Sequence, residues 1–106
     1  DTALPTAWAL PRIADAVGGA VPLLVDGGIR RGTDVLKAVA LGARAVLIGR
    51  PYVLALAVAG AQGVAHALRL LRDELEIAMA LAGCATLADA RRELLFERPG
   101  SLLGAP

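Results

Sequence analysis

The sequence has little of what most chemistry requires. It holds one cysteine, Cys84, so no disulfide can form within the chain, and a reducing cytoplasm is the expected compartment. It holds one histidine, His66, and three aromatic residues, Trp8, Tyr52 and Phe96. The formal net charge is only +1, so there is no basic, aromatic-studded surface for nucleic acid, and none is expected as a partner. The longest apolar run, residues 51–61, covers 11 residues and contains Pro51 and Gly60, well short of the ~18 consecutive apolar residues of a membrane-spanning helix. The start of the chain shows no charged and then apolar leader of the kind that directs secretion.

What remains is a chain of 106 residues, 57% hydrophobic, with material for one domain at most. Its organising stretch is Val25-Asp26-Gly27-Gly28-Ile29-Arg30-Arg31-Gly32, at the end of the apolar run over residues 21–25. A β-branched, uncharged run that stops at an aspartate and two glycines reads as a buried strand ending in a tight loop. Adjacent glycines can take positive φ and carry no Cβ, so successive backbone N–H groups can turn toward an anion and approach it. Arg30 adds a permanent positive charge beside them.

A second unit repeats the plan. A strand is expected over residues 45–48, ended by Gly49-Arg50-Pro51, with Pro51 suited to the first position of a new helix. Between the strands, Thr33 is expected to cap a helix that has Asp34 in its first turn, Val35, Leu36, Val39 and Ala40 on its apolar face, and Gly42 at its end. In a βαβ unit the strands are parallel and their C-terminal ends lie on one side, so Gly27-Gly28 with Arg30 and Gly49 with Arg50 can face one ligand. Phosphate is the ligand this suits.

The flanking elements follow from the same signals. A helix is expected from Thr6, with Pro11 either kinking it or starting a second one to Val17, and Gly18-Gly19 ending it. A short helix over residues 51–59 should break near Gly60. The longest helix should cover residues 62–82, with Val64, Leu68, Leu71, Leu75, Ala78 and Ala82 in one buried stripe and Gly83 at its end. Thr86 and Asp89 have capping-box spacing for a last helix to about Leu95.

Four stretches carry a resemblance. They are Asp26-Gly27-Gly28-Ile29-Arg30-Arg31-Gly32-Thr33-Asp34-Val35-Leu36-Lys37-Ala38, then Leu41-Gly42-Ala43, Ile48-Gly49-Arg50-Pro51-Tyr52 and Leu71-Arg72-Asp73-Glu74-Leu75-Glu76. In order and spacing, over about residues 1–95, they resemble the C-terminal part of the FMN-dependent 2-hydroxy acid oxidases and dehydrogenases, such as glycolate oxidase, lactate oxidase and mandelate dehydrogenase. The fold class implied is α/β, the seventh and eighth strand–helix units of a (β/α)8 TIM barrel. Such a barrel needs ~250 residues, so the chain is expected to be a fragment whose partner is the missing N-terminal part. Residues 1–95 would form the segment of that one FMN-binding domain and residues 96–106 a tail.

The resemblance implies FMN as cofactor and oxidation of a small 2-hydroxy acid to the 2-oxo acid, in a homo-oligomer, a tetramer. It implies a cofactor site at Asp26, Gly27, Gly28, Ile29, Arg30, Gly49 and Arg50, with Asp26 accepting hydrogen bonds from the flavin's ribityl hydroxyls. The family's base and carboxylate clamp belong to a His-Gly-x-Arg-Gln-Leu-Asp motif expected just before residue 1. Asp1 fits its last position and is given no catalytic role. The alternatives are another phosphate-gripping barrel, of the type 2 isopentenyl diphosphate isomerase or IMP dehydrogenase kind, or a non-catalytic phosphate-binding module.

Plainer roles are expected elsewhere. Arg31 and Arg44 read as surface arginines, and His66 as a solvated residue opposite the apolar stripe. Cys84 reads as inert. Met79, Trp8 and Tyr52 read as packing residues, with Tyr52 close enough to Arg50 to line the site. Asp73, Glu74 and Glu76 read as a charged helical face. No metal cluster and no paired-carboxylate catalyst is expected.

Overall fold

A computed structural model describes residues 4–96 of the chain. Asp1 falls outside them, as does all of the expected tail except Phe96. Helix α1 (Thr6–Val17) is followed by strand β1 (Leu24–Val25), helix α2 (Gly32–Ala40), strand β2 (Ala45–Val46) and helix α3 (Arg50–Ala82). Pro11 does not divide α1, which runs through it to Gly18 with Pro11 buried.

The two strands pair in parallel, Leu24 opposite Ala45 and Val25 opposite Val46. The ladder continues one step at each end, where the Arg44 N–H donates to Leu23 O and the Leu47 N–H to Val25 O, each at 2.7 Å. Both strands are shorter than their apolar runs, 21–25 and 45–48. Pro22 has no N–H to give a ladder, and each strand has only the other as a neighbour. Val25 is buried while Leu24 and Leu47 are exposed, so the strands are covered on one face only. Beneath that face lies a core of Leu10, Val25, Ile29, Val35, Ala38, Leu41 and Ala43, with Leu71 and Leu75 of α3 packed against it.

Helix α2 begins earlier than Thr33. Gly32 is its first residue and Arg31 the flanking one, because the Asp34 carboxylate accepts the Arg31 N–H at 3.0 Å and closes the turn there. Helix α3 breaks where expected, at Ala59 and Gly60, whose φ of 61° and ψ of −145° leave the helical region. By length and composition α3 is apolar enough to cross a bilayer, and this break divides it. Of the expected stripe, Ala78 is buried and Val64, Leu71 and Leu75 are half-buried, while Leu68 and Ala82 are exposed. Helix α2 is nine residues long and covers only part of the stripe.

The last expected helix is absent. In its place are two 3-10 turns, Leu87–Asp89 and Arg92–Leu94. The capping interaction does form, the Thr86 N–H donating to Asp89 at 2.9 Å. The extended Ala90, however, is buried with Ala40 and Cys84. Arg92 reaches back to the Asp15 carboxylate and to Pro11 O, both at 2.9 Å. A segment this short gains little from helix propagation, and these anchors prevail.

Candidate functional site

Because β1 and β2 are parallel, the loops that leave their C-terminal ends lie side by side. They form the two walls of a cleft of about 530 Å³, residues 26–30 on one side and 47–51 on the other. All seven residues singled out in the sequence, Asp26, Gly27, Gly28, Ile29, Arg30, Gly49 and Arg50, border it. Gly27 and Gly28 have φ of 88° and 79°, a conformation that L side chains rarely adopt. A Cβ on Gly28 would meet no atom within 4 Å, so the backbone conformation and the open approach, rather than crowding, call for glycine.

The cleft is rich in unsatisfied donors. Among the described residues, the backbone N–H groups of Gly28, Ile29, Gly49 and Arg50 find no protein acceptor. Gly49 and Arg50 open α3, so the positive end of that helix faces the same space. Arg30 and Arg50 are exposed and form no ion pair among the described residues. Ile29 turns its side chain into the core, at 8% exposure, and offers the cleft its backbone. Asp26 is exposed and is the one carboxylate on the cleft wall, an acceptor for hydroxyl groups beside a receptor for an anion.

Two carboxylates that the sequence reading treated lightly support this wall. Asp34 accepts the N–H groups of both Arg30 and Arg31 at 3.0 Å. Glu74 of α3 accepts the Gly32 N–H at 2.9 Å and a guanidinium N–H of Arg31 at 3.1 Å. The Gly32 N–H first, and then Arg31, hold the Glu74 carboxyl below the usual glutamate value of 4.5. Thus Arg31 is exposed but paired, and Glu74 is more than part of a charged face. The acid in the first turn of α2 signalled Asp34; no local signal marks Glu74, 42 positions from Gly32.

The remaining candidates lie elsewhere. Tyr52 is 42% exposed and borders a smaller cavity of about 210 Å³ with Arg30 and Glu74, not the main cleft, so neither packing nor lining the cleft describes it. Trp8 is half-buried under the Arg12 guanidinium, 3.8 Å from the ring centre, and Met79 packs against the group around Cys84. Cys84 is buried and His66 is exposed on α3, away from the cleft. Arg44 precedes β2 and borders a hollow with Ala14, Val17 and Gly42, at the opposite end of the strands. No cluster of three His, Cys, Asp or Glu suited to a metal occurs among the described residues.

Comparison with known proteins gives a consistent picture. A family model described as FMN-dependent dehydrogenase matches residues 1–97. An L-lactate oxidase of Roseobacter sp. (strain GAI101) is 60% identical over 94 residues, 87% of this chain and 25% of that protein. Glycolate oxidase 1 of Zea mays is 50% identical over 101 residues, 95% of this chain and 27% of that protein. Solved structures of mandelate oxidase superpose with a TM-score of 0.83 at 55% identity, covering 87% of this chain; one contains a monooxide FMN adduct and another benzoyl-formic acid. The chain spans about a quarter of the length of the curated relatives it matches.

Proposed function

The chain belongs to the FMN-dependent dehydrogenase family, and from that membership we propose that it supplies the phosphate grip for FMN in a protein that oxidises a small 2-hydroxy acid to the 2-oxo acid. The observation that carries this reading is the single cleft in which two parallel strand ends bring together unsatisfied N–H groups and two unpaired arginines. A phosphate needs donors from more than one direction and charge to replace its hydration, and both kinds of group are here.

In this reading the backbone of Gly28, Ile29 and Gly49 donates to phosphate oxygens, and the guanidinium groups of Arg30 and Arg50 neutralise their charge. Gly27 gives the turn the conformation that aims those donors outward. Asp26 accepts hydrogen bonds from the ribityl hydroxyls. FMN, when bound, supplies a two-electron acceptor for the carbon that bears the substrate hydroxyl. No histidine borders the cleft among the described residues. The proton acceptor and the carboxylate clamp are therefore assigned to the segment of the barrel that would carry the His-Gly-x-Arg motif.

The strands then correspond to the seventh and eighth of a (β/α)8 barrel, with residues 1–95 as part of its single domain and 96–106 as a tail. Names of relatives, lactate, glycolate and mandelate oxidases, point to small 2-hydroxy acids as the substrate class. Assembly as a homo-oligomer in the cytoplasm completes the proposal. The test is an anaerobic titration of the intact protein with a panel of 2-hydroxy acids, followed by flavin absorption. Bleaching by at least one of them is expected; a protein that purifies without flavin and binds none would refute the reading.

A further inference from the structure

In the wall of the cleft that carries Arg30, Ile29 is packed into the core, while Gly28, Arg30 and Arg31 around it are exposed. On the side of this wall away from β1 lies the cavity of about 210 Å³ bordered by Ile29, Arg30, Pro51, Tyr52, Leu71 and Glu74. Residues 28–31 form no strand or helix. Polar contacts therefore fix the exposed residues on either side of Ile29. Asp34 closes the turn locally. Among the described residues, Glu74 is the side chain of another element that hydrogen-bonds here, through the Gly32 N–H and the Arg31 guanidinium.

Glu74 is suited to this work. Its side chain is 38% exposed, whereas those of Arg72 and Glu76, an ordinary surface pair on the same helix, are 79% and 60% exposed. Gly32 lies so close to α3 that a Cβ there would overlap the backbone of Glu74 and Leu75. The contact thus joins α2 to α3 at van der Waals distance, with the carboxylate set between the first N–H of one helix and a flanking arginine. It also occupies the charge of Arg31, leaving Arg30 and Arg50 as the cations that face the cleft.

We propose that Glu74 is a positioning residue for the anion cleft: by holding Gly32 and Arg31 against α3, it sets the spacing between the Arg30 wall and the Arg50 wall so that both can engage one phosphate. This rests on the phosphate reading above. Without Glu74 the Arg30–Arg31 stretch loses its tie to α3, and donors that were aligned in advance must be ordered at the moment of binding.

The experiment uses apoprotein of the intact enzyme, titrated with FMN and with riboflavin and followed by flavin fluorescence. The measured quantity is the preference for FMN, which general destabilisation does not change because it weakens both ligands alike. Glu74→Ala is expected to lower that preference about tenfold, and Glu74→Gln, whose amide oxygen can still accept the Gly32 N–H, about threefold. Arg31→Ala should lower it less than Glu74→Ala does, since the Gly32 N–H contact remains and an exposed pair contributes little.

A Glu74→Ala protein that keeps or gains preference while Arg50→Ala loses it would overturn the positioning role and leave the phosphate site standing. Equal losses for both flavins would reduce Glu74 to a structural contact and overturn it too. If Glu74→Ala cannot be purified, an unchanged preference in Glu74→Gln overturns the proposal. A wild-type protein with no preference for FMN over riboflavin would remove the phosphate reading itself, and this inference with it.

Discussion

Arg31, Arg72 and Arg92 are each matched to a carboxylate, whereas Arg30 and Arg50 border the cleft without one. Hydrogen bonds to a charged group contribute ~1.5–3 kcal/mol, so Arg30→Ala or Arg50→Ala in the intact enzyme should weaken FMN binding roughly 10- to 100-fold. Arg44→Ala, at the far end of the strands, should change it little; equilibrium titration of the three variants checks this. Gly28→Val should cost the cofactor without collapsing the fold, because the added side chain meets open space but is forced to a φ of 79°. Flavin content after purification, beside a circular dichroism spectrum, is the measurement. Glu74 also gives a pH signature. Its folded value lies below its unfolded one, so the stability it adds is present above about pH 4.5 and lost as pH falls through the folded value. The difference in melting temperature between wild type and Glu74→Gln should therefore shrink as the pH is taken below about 4.5.

At the scale of elements, the contact that positions the cleft is the meeting of α2 and α3 at Gly32. A Cβ there would overlap backbone atoms of Glu74 and Leu75, which cannot rotate away. Gly32→Ala should therefore push the helices apart and destabilise the intact protein by roughly 1–3 kcal/mol or more, although alanine is the better helix former. Denaturant unfolding measures the loss, and flavin content should fall with it. A variant as stable as wild type would show that α2 and α3 can separate without consequence. The 3-10 turns make the same point in reverse: Ala90 and Arg92 are held by distant partners, and the backbone follows them rather than the helical pattern.

The whole molecule is a βαβ unit with one covered face. Leu24 on β1, Val21 and Leu47 beside the strands, and Val53, Leu54, Val58, Ile77 and Leu81 along α3, are all more than half exposed. Parallel strands in complete α/β proteins are buried on both faces, and this exposed surface supports the barrel reading proposed above. Two outcomes are expected for the 106-residue chain by itself. It should bind a hydrophobic dye such as ANS strongly, and it should show no flavin reduction with L-lactate, glycolate or mandelate. Measurable turnover by the purified chain would mean that a base and a clamp lie within it after all.

The local features of this protein were determined by the sequence: a strand end just before Asp26, positive φ at Gly27 and Gly28, the break at Gly60 and the helix end at Gly83. Each depends on the conformational range of one or two residues and on the polarity of their neighbours, which are properties carried along the chain. The cleft was legible for the same reason, since parallel strands joined by one helix place their ends together whatever surrounds them. Other features were decided only by tertiary structure. The length of the strands depended on having neighbours, the burial of the α3 stripe on how far α2 extends, and the fate of residues 86–95 on contacts with α1 and α2. Glu74 was decided in the same way. Its role arises because packing brings a carboxylate to a helix start 42 positions away, and no periodicity along the chain records which distant groups folding will bring together.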